Sequence, residues 1–179
     1  MSAVIPGRHT ADIEGDFVVF IIGMRVNHLW AVHKWLPVAA AMPKMQKALV
    51  QDPQSGYLAG ENYFNPLTRT SCNIQYWRSF ADLERFSKEP TQIHLEAWRA
   101  FNKAIGSNGM VGIWHETFQV KANQYECVYG NMPRFGLAKA GEHIDAVGVF
   151  KNARSRFTRP VTDNQKEDPT EEPTTRKTA

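Results

Sequence analysis

The segment Phe17–Val26, FVVFIIGMRV, limits the possible folds more than any other stretch. It is a short run of β-branched and aromatic side chains, bounded by Gly15 and Asn27. Val and Ile lose rotamer freedom in a helix, so a run of this length with these flanks predicts a buried strand. Gly23 inside it predicts a bulge or a close neighbour. The run is too short to cross a bilayer, and no uninterrupted apolar run in the sequence is long enough to do so. A buried strand needs partners on both edges and cover on both faces, so the rest of the chain is read for those.

Asn27 is expected to cap a helical stretch over about 28–50, with Trp30, Trp35, Leu36, Ala39, Met42, Met45 and Leu49 on its apolar side. Pro37 and Pro43 interrupt that stretch. A proline in a helix interior costs about 3 kcal/mol, so two shorter pieces or a kink are expected. Asp52–Gly56 is a turn by composition. Tyr57–Phe64 and Thr70–Trp77 then read as a hairpin. In the second strand Cys72, Ile74 and Tyr76 alternate with Asn73, Gln75 and Trp77. Two amides and an indole on one face suggest a cavity wall that carries a few polar groups.

Ser79, followed by Asp82, predicts a helix start, and that helix runs to about Lys88. A second helix is expected over Thr91–Ile105, ended by Gly106 and Gly109. Val111–Val120 and Tyr125–Tyr129 are expected to form a last hairpin around Lys121–Gln124. Residues 1–16 read as an extended arm. From about Lys151 the chain is rich in Thr, Pro and charge, so the expected organisation is one domain over 1–150 and a disordered tail over 151–179.

The element order contains no repeated crossover units. It predicts an α+β fold, a ferredoxin-like sandwich in which helices cover one face of an antiparallel sheet. The opposite face also needs cover. Aromatic residues make up 11% of the 179 residues and include five Trp. A second copy of the chain is the simplest cover, which gives a homodimer of the dimeric α+β barrel type.

The formal net charge is only +3, and no Lys/Arg run precedes the tail, so nucleic acid is not an expected partner. Cys72 and Cys127 lack metal-ligand spacing, and no charged-then-apolar leader pattern is present. Reduced thiols, a cytoplasmic location and no membrane association are expected. No His/Cys/carboxylate set has zinc spacing, and no dinucleotide fingerprint, phosphate loop or nucleophile elbow occurs.

Five blocks carry a family resemblance: GRHTADIEGDFVVFIIGMRVN (Gly7–Asn27), IQYWRSFADLERF (Ile74–Phe86), HLEAWRAFN (His94–Asn102), VGIWHETF (Val111–Phe118) and YECVYGNMPRFGL (Tyr125–Leu137). Together they resemble the fungal fumagillin-pathway monooxygenase-like family, whose bacterial members carry a domain of unknown function. The resemblance runs in order over about residues 5–150. It implies a dimeric α+β barrel with an internal pocket, related to antibiotic-biosynthesis monooxygenases, haem-degrading monooxygenases and aldoxime dehydratases. Oxygen chemistry on a small apolar or aromatic substrate is the implied activity. No cofactor is required for the first of these chemistries; haem is the alternative, and a non-enzymatic ligand-binding barrel is a third.

His115 and Glu116 are adjacent in a strand, so they point to opposite faces and cannot act as one acid–base pair. His115 is either a general base, a haem ligand or a hydrogen-bonded structural histidine. By resemblance, His94 corresponds to the helix that holds iron in haem-degrading relatives, and Asn27 to a strand asparagine that positions substrate or oxygen. The bland alternatives are a solvated helical histidine and a helix cap. Trp77 would shield or stack on a substrate, or else pack an interface. Asn73 and Gln75 are candidate substrate-binding residues. Arg25 would clamp an anionic group or stand in solvent. The loop Asn131–Gly136 either caps the pocket or simply follows the last strand.

Overall fold

The computed structural model of the chain describes residues 3–88 and 109–158. In chain order its elements are β1 (Ile5–Asp12), β2 (Phe17–Val26), α1 (Val32–Gln51), β3 (Tyr57–Asn65), β4 (Thr70–Trp77), α2 (Phe80–Lys88), β5 (Val111–Val120), β6 (Tyr129–Met132), α3 (Leu137–Ala140), β7 (Glu142–Asp145), a short 3-10 turn (Gly148–Phe150) and α4 (Ala153–Phe157). The helix expected over Thr91–Ile105 and the residue His94 lie outside the described residues.

The centre is a four-stranded antiparallel sheet in the order β3-β4-β2-β5. The first strand of this unit, β2, lies between the third and the fourth. That is the ferredoxin-like arrangement predicted from the order of elements. β2 is paired on both edges and carries apolar residues on both faces, which explains why its sequence is apolar except at the exposed Arg25.

Register assigns the faces. Val18, Phe20, Ile22, Met24 and Val26 share one side with Asn73, Gln75 and Trp77 of β4 and with Ile113 and His115 of β5. α1 packs on this side: Val38 and Trp35 lie against Met24, Val26, Val111 and Ile113. Further along, Leu49 and Leu83 enclose Trp77 with Val18, Phe20, Tyr57 and Phe86.

The helix differs from expectation in two ways. It is one continuous element with Pro37 and Pro43 inside it. Both prolines are exposed, while Val38 and Leu49 are buried on the sheet. Packing of that stripe holds together what local propensity would divide. Asn27 is not its cap: the N-cap position is Ala31, with no side-chain cap bond. Asn27 instead donates through Nδ2 to the Gly109 carbonyl at 2.8 Å, tying β2 to the start of β5. At α2 the predicted start holds. The Ser79 hydroxyl accepts from the Asp82 N–H at 3.1 Å and donates to its carboxylate at 2.8 Å.

The opposite face holds the main surprise. A second antiparallel sheet, in the order β6-β1-β7, lies against one end of it. Ala11, Ile13, Tyr125, Leu137 and Ala138 form a common core with Phe17, joined by Val19, Tyr76 and Val120. Residues 5–12 are therefore the central strand of a sheet rather than an arm. The expected hairpin between Val111–Val120 and Tyr125–Tyr129 does not form, because the chain after β5 is captured by β1. The Tyr125 oxygen accepts from the Ile13 N–H at 2.6 Å, and the Cys127 carbonyl accepts from the Thr10 hydroxyl at 2.8 Å. The expected tail boundary also moves. Ala153–Phe157 is a helix, and Arg156 is buried and pairs with Glu126.

The loop Asn131–Leu137 joins the two layers. The Asn131 side-chain oxygen accepts from the Gly7 N–H at 3.0 Å. Glu61 of β3 receives the Gly136 N–H at 3.1 Å and the Lys139 ammonium at 2.7 Å. Phe135 meets the Tyr63 ring edge-on at 6.4 Å. The chain thus covers part of its own sheet, the role that the sequence suggested for a second copy.

Candidate functional site

Between α1 and the sheet lies a cavity of about 380 Å³. Its wall is mostly apolar, with Ile22, Met24, Val38, Met42, Pro43 and Ile113, and its polar groups come from Asn62, Ser71 and Asn73. The packing explains where it sits. Val38 and Leu49 anchor α1 at two separated points, and the slot opens over the strand residues between them.

One wall carries a row of buried amides. The Trp77 indole donates to the Gln75 oxygen at 2.9 Å, and the Gln75 nitrogen donates to the Asn73 oxygen at 2.6 Å. The Asn73 nitrogen donates to the Glu61 carbonyl at 3.0 Å and to the Asn62 oxygen at 3.2 Å. The Asn62 nitrogen donates to the Gln46 oxygen at 2.8 Å. Asn73 is 2% exposed, Gln75 5% and Trp77 0%. Buried amides are tolerable when each is bonded, and these satisfy one another.

The structure separates the residues singled out in the sequence. Asn73 lines the cavity. Gln75 and Trp77 lie behind it in the row, and Trp77 is packed edge-on against Tyr57 at 5.5 Å rather than open to the cavity. His115 is on the same side of the sheet, cross-strand from the wall residue Ile22, but its side chain is exposed beside the Phe20 ring at 5.7 Å. Asn27 is engaged with Gly109 at the end of the sheet. Arg25 is exposed on the other face, because strand alternation sets it opposite Met24. Trp114 and Glu116 are on that same far face. Trp114 lies over Gly23, where an added Cβ would come within 2.5 Å of the indole nitrogen. Gly23 is therefore the close approach that its place in the strand suggested.

Asn62 and Gln46 were missed in the sequence. Asn62 is directly cross-strand from Asn73, so the hairpin register alone would have exposed it. Gln46 follows Met42 by one helical turn. Cys72 also borders the cavity. Burial raises its pKa, and the nearby Glu116 raises it further, so it stays a thiol rather than a nucleophilic thiolate.

Haem would need an axial ligand beside the cavity. Among the described residues no histidine lines it; His115 is exposed on the same side of the sheet. The described wall offers haem no histidine. Among the described residues no group of three or more His, Cys, Asp or Glu is placed to hold a metal ion. No described helix is long and apolar enough to cross a membrane.

Residues 17–137 match the model of the monooxygenase af470-like family. The chain belongs to this family. The matched span holds the whole four-stranded sheet, the cavity and the loop to Leu137. Monooxygenase af470 of Aspergillus fumigatus is 34% identical over 152 aligned positions, covering 73% of this chain and 53% of the relative. The chain thus spans about half the length of that relative. Among solved structures, SnoaB, a cofactor-independent oxygenase from Streptomyces nogalater, is 15% identical with a TM-score of 0.42, over 57% of this chain and 91% of that one. A dimeric ferredoxin-like protein of unknown function from Jannaschia sp. CCS1 is 10% identical with a TM-score of 0.42, over 56% and 97%.

Proposed function

We propose that this chain is a small-molecule monooxygenase that binds an apolar or aromatic substrate between α1 and the sheet. The observation that carries this reading is the cavity itself, an apolar slot with one wall of fixed amides. Apolar pockets with a few oriented polar groups are the usual form of small-molecule sites. Membership of a monooxygenase-like family supports a monooxygenase-type reaction.

A substrate with an acidic C–H beside a carbonyl or phenol can reduce oxygen itself. The C–H loses its proton to a base, and the carbanion passes electrons to O2. A C–O bond forms, the peroxide oxygen takes the proton back from the base, and loss of one water together with the second hydrogen of that carbon, a CH2 in the substrate, leaves a new carbonyl. One oxygen atom enters the product and the other leaves as water. In this reading no cofactor is needed. His115 does not line the cavity but stands exposed on the same side of the sheet, cross-strand from the wall residue Ile22, and is the proposed base for a substrate whose acidic carbon reaches past that wall. Asn73 touches the substrate, and Gln75 and Trp77 act through it as positioning residues. Asn27 holds the end of β2 against β5, and Arg25, on the far face, takes no part.

Oxygen uptake with phenolic and polyketide-like compounds tests this. Loss of a general base lowers turnover about a hundredfold or more, so His115→Ala should do so with little change in KM. Unchanged turnover removes His115 from the reaction. Saturable binding without oxygen uptake by any compound would instead favour a ligand-binding barrel.

The uncovered part of the far face suits a second copy. Tyr63 is 42% exposed, Trp114 37% and Phe118 49%, and they share one side of the sheet by register. Sedimentation of the intact chain should show a dimer, and Phe118→Lys should shift it to monomer. A wild-type chain that sediments as a monomer at high concentration would overturn this.

A further inference from the structure

The polar groups on the cavity wall differ in how far the protein itself engages them. Asn62 and Asn73 use both ends of their amides internally. The Asn73 oxygen accepts from Gln75, and its nitrogen donates to the Asn62 oxygen and the Glu61 carbonyl. The Asn62 nitrogen in turn donates to Gln46. Tyr63 and Cys72 also border the cavity, but strand alternation turns their side chains to the far face. Ser71 differs from all of these. It lines the cavity and is half-buried, and its hydroxyl is hydrogen-bonded to none of the described residues.

Register places that hydroxyl where a ligand would meet it. Ser71 is two residues along β4 from Asn73, so both point to the helix side. Met24 of β2 and Phe64 of β3 stand directly cross-strand from it, one on each side, and both line the cavity. A ring packed on the Met24 thioether and on Phe64 brings its edge to the residue between them. No Lys, Arg, His, Asp or Glu is among the described lining residues. A charged ligand group would lose water there without a counter-charge, which is costly. A neutral oxygen meets no such cost, because a serine hydroxyl can donate to it or accept from it.

We infer that Ser71 is a specificity-determining residue of this cavity: its hydroxyl holds the oxygen of an uncharged aromatic alcohol or ketone, and the cavity rejects a carboxylate on the same ring. This rests on the cavity being a ligand site. Ser71 sets which end of the ring lies over Met24 and Phe64, while the bonded amides next to it keep that wall fixed.

The test uses 2-naphthol, naphthalene and 2-naphthoate, which share one ring system and differ in oxygen and charge. Their own fluorescence reports binding to the intact chain near neutral pH, where the naphthol is uncharged and the naphthoate is an anion. Naphthol should bind about tenfold tighter than naphthalene, the factor expected for one hydrogen bond, and naphthoate should bind more weakly than naphthol. Ser71→Ala removes the hydroxyl without adding bulk; it should abolish the naphthol advantage and leave naphthalene binding unchanged. Ser71→Thr keeps a hydroxyl on a side chain that suits a strand and should retain the advantage. Equal binding of naphthol and naphthalene to wild type, or an unchanged advantage in Ser71→Ala, overturns the role of Ser71 and leaves the cavity reading intact. A loss in Ser71→Ala that Ser71→Thr shares also overturns it, since packing rather than the hydroxyl would then be responsible. Naphthoate binding as tightly as naphthol overturns the rejection of charge. If none of the three binds wild type, the cavity reading falls and this inference falls with it.

Discussion

The two faces of the central sheet are made by the same four strands and solve the covering problem in opposite ways. On the helix side, α1 and α2 shield a surface that includes polar residues. Asn73, Gln75 and Trp77 occur where a plain core would have aliphatic groups, and they are satisfied by bonding along the row. On the far side the cover is a second sheet, built from the chain's first and last described strands and packed through Phe17, Leu137 and Tyr125. The first face has a cavity and a fixed donor pattern. The second has ordinary apolar packing at one end and exposed aromatics at the other. In the proposed reading, polarity inside this fold follows the ligand side, while the far side serves assembly.

Each face can be broken separately. The largest effect should come from Trp77→Ala, which empties the most buried large side chain and removes the head of the amide row. A loss of about 3–5 kcal/mol is expected in denaturant unfolding, together with weaker binding in the cavity. On the far side, Leu137→Ala should cost about 2–4 kcal/mol but leave cavity binding unchanged. Equal effects of both variants on binding would erase the contrast.

Two carboxylates, Asp82 and Glu61, anchor the two sides. Burial alone would raise the pKa of Asp82, but hydrogen bonds from Arg78, Ser79 and Arg85 outweigh it and bring it from 3.8 to about 2. A carboxyl depressed on folding stabilises above its unfolded pKa and loses that contribution as pH falls through its folded one. Thermal unfolding should therefore show an acid-sensitive limb between about pH 4 and pH 2, and Asp82→Asn should flatten it. The smallest effect is expected at Glu61. Glu61→Gln loses the ion pair to Lys139 but keeps an acceptor for the Gly136 N–H, so a change under about 1 kcal/mol is expected. A larger loss, measured by the same unfolding, would mean that the far sheet hangs on this contact.

The central sheet was legible in the sequence because its signals are local. The β-branched run of Phe17–Val26, the alternation of Thr70–Trp77 and the Ser79–Asp82 pair each contain their own evidence. What failed depended on contacts remote in sequence. β1 has little apolar character of its own, with its buried residues confined to Thr10 and Ala11, and becomes a strand only because β6 and β7 flank it. Asn27 satisfied the pattern of a cap, yet its amide found Gly109 instead. The prolines in α1 were read correctly as local penalties, but tertiary packing overrode them. At the site, strand parity put Asn73, Gln75 and Trp77 together and split His115 from Glu116. It could not supply Gln46, because nothing in the helix pattern indicates which residue of α1 will meet the Asn62 amide.

The second sheet also sets an order of events. Its pairings join Ile5 to Met132 and Asp12 to Glu142, among the most widely separated in the described chain. Such contacts form late, since a long loop must close before they stabilise anything. β1 leaves the ribosome well before β6 and β7 and would wait for them before it can pair. Until then its two edges are open, beside a central sheet whose far face is still bare. The interval between synthesis of β1 and arrival of β7 is thus the period in which this chain is most exposed to wrong partners, and a chaperone that holds the amino-terminal segment would act there.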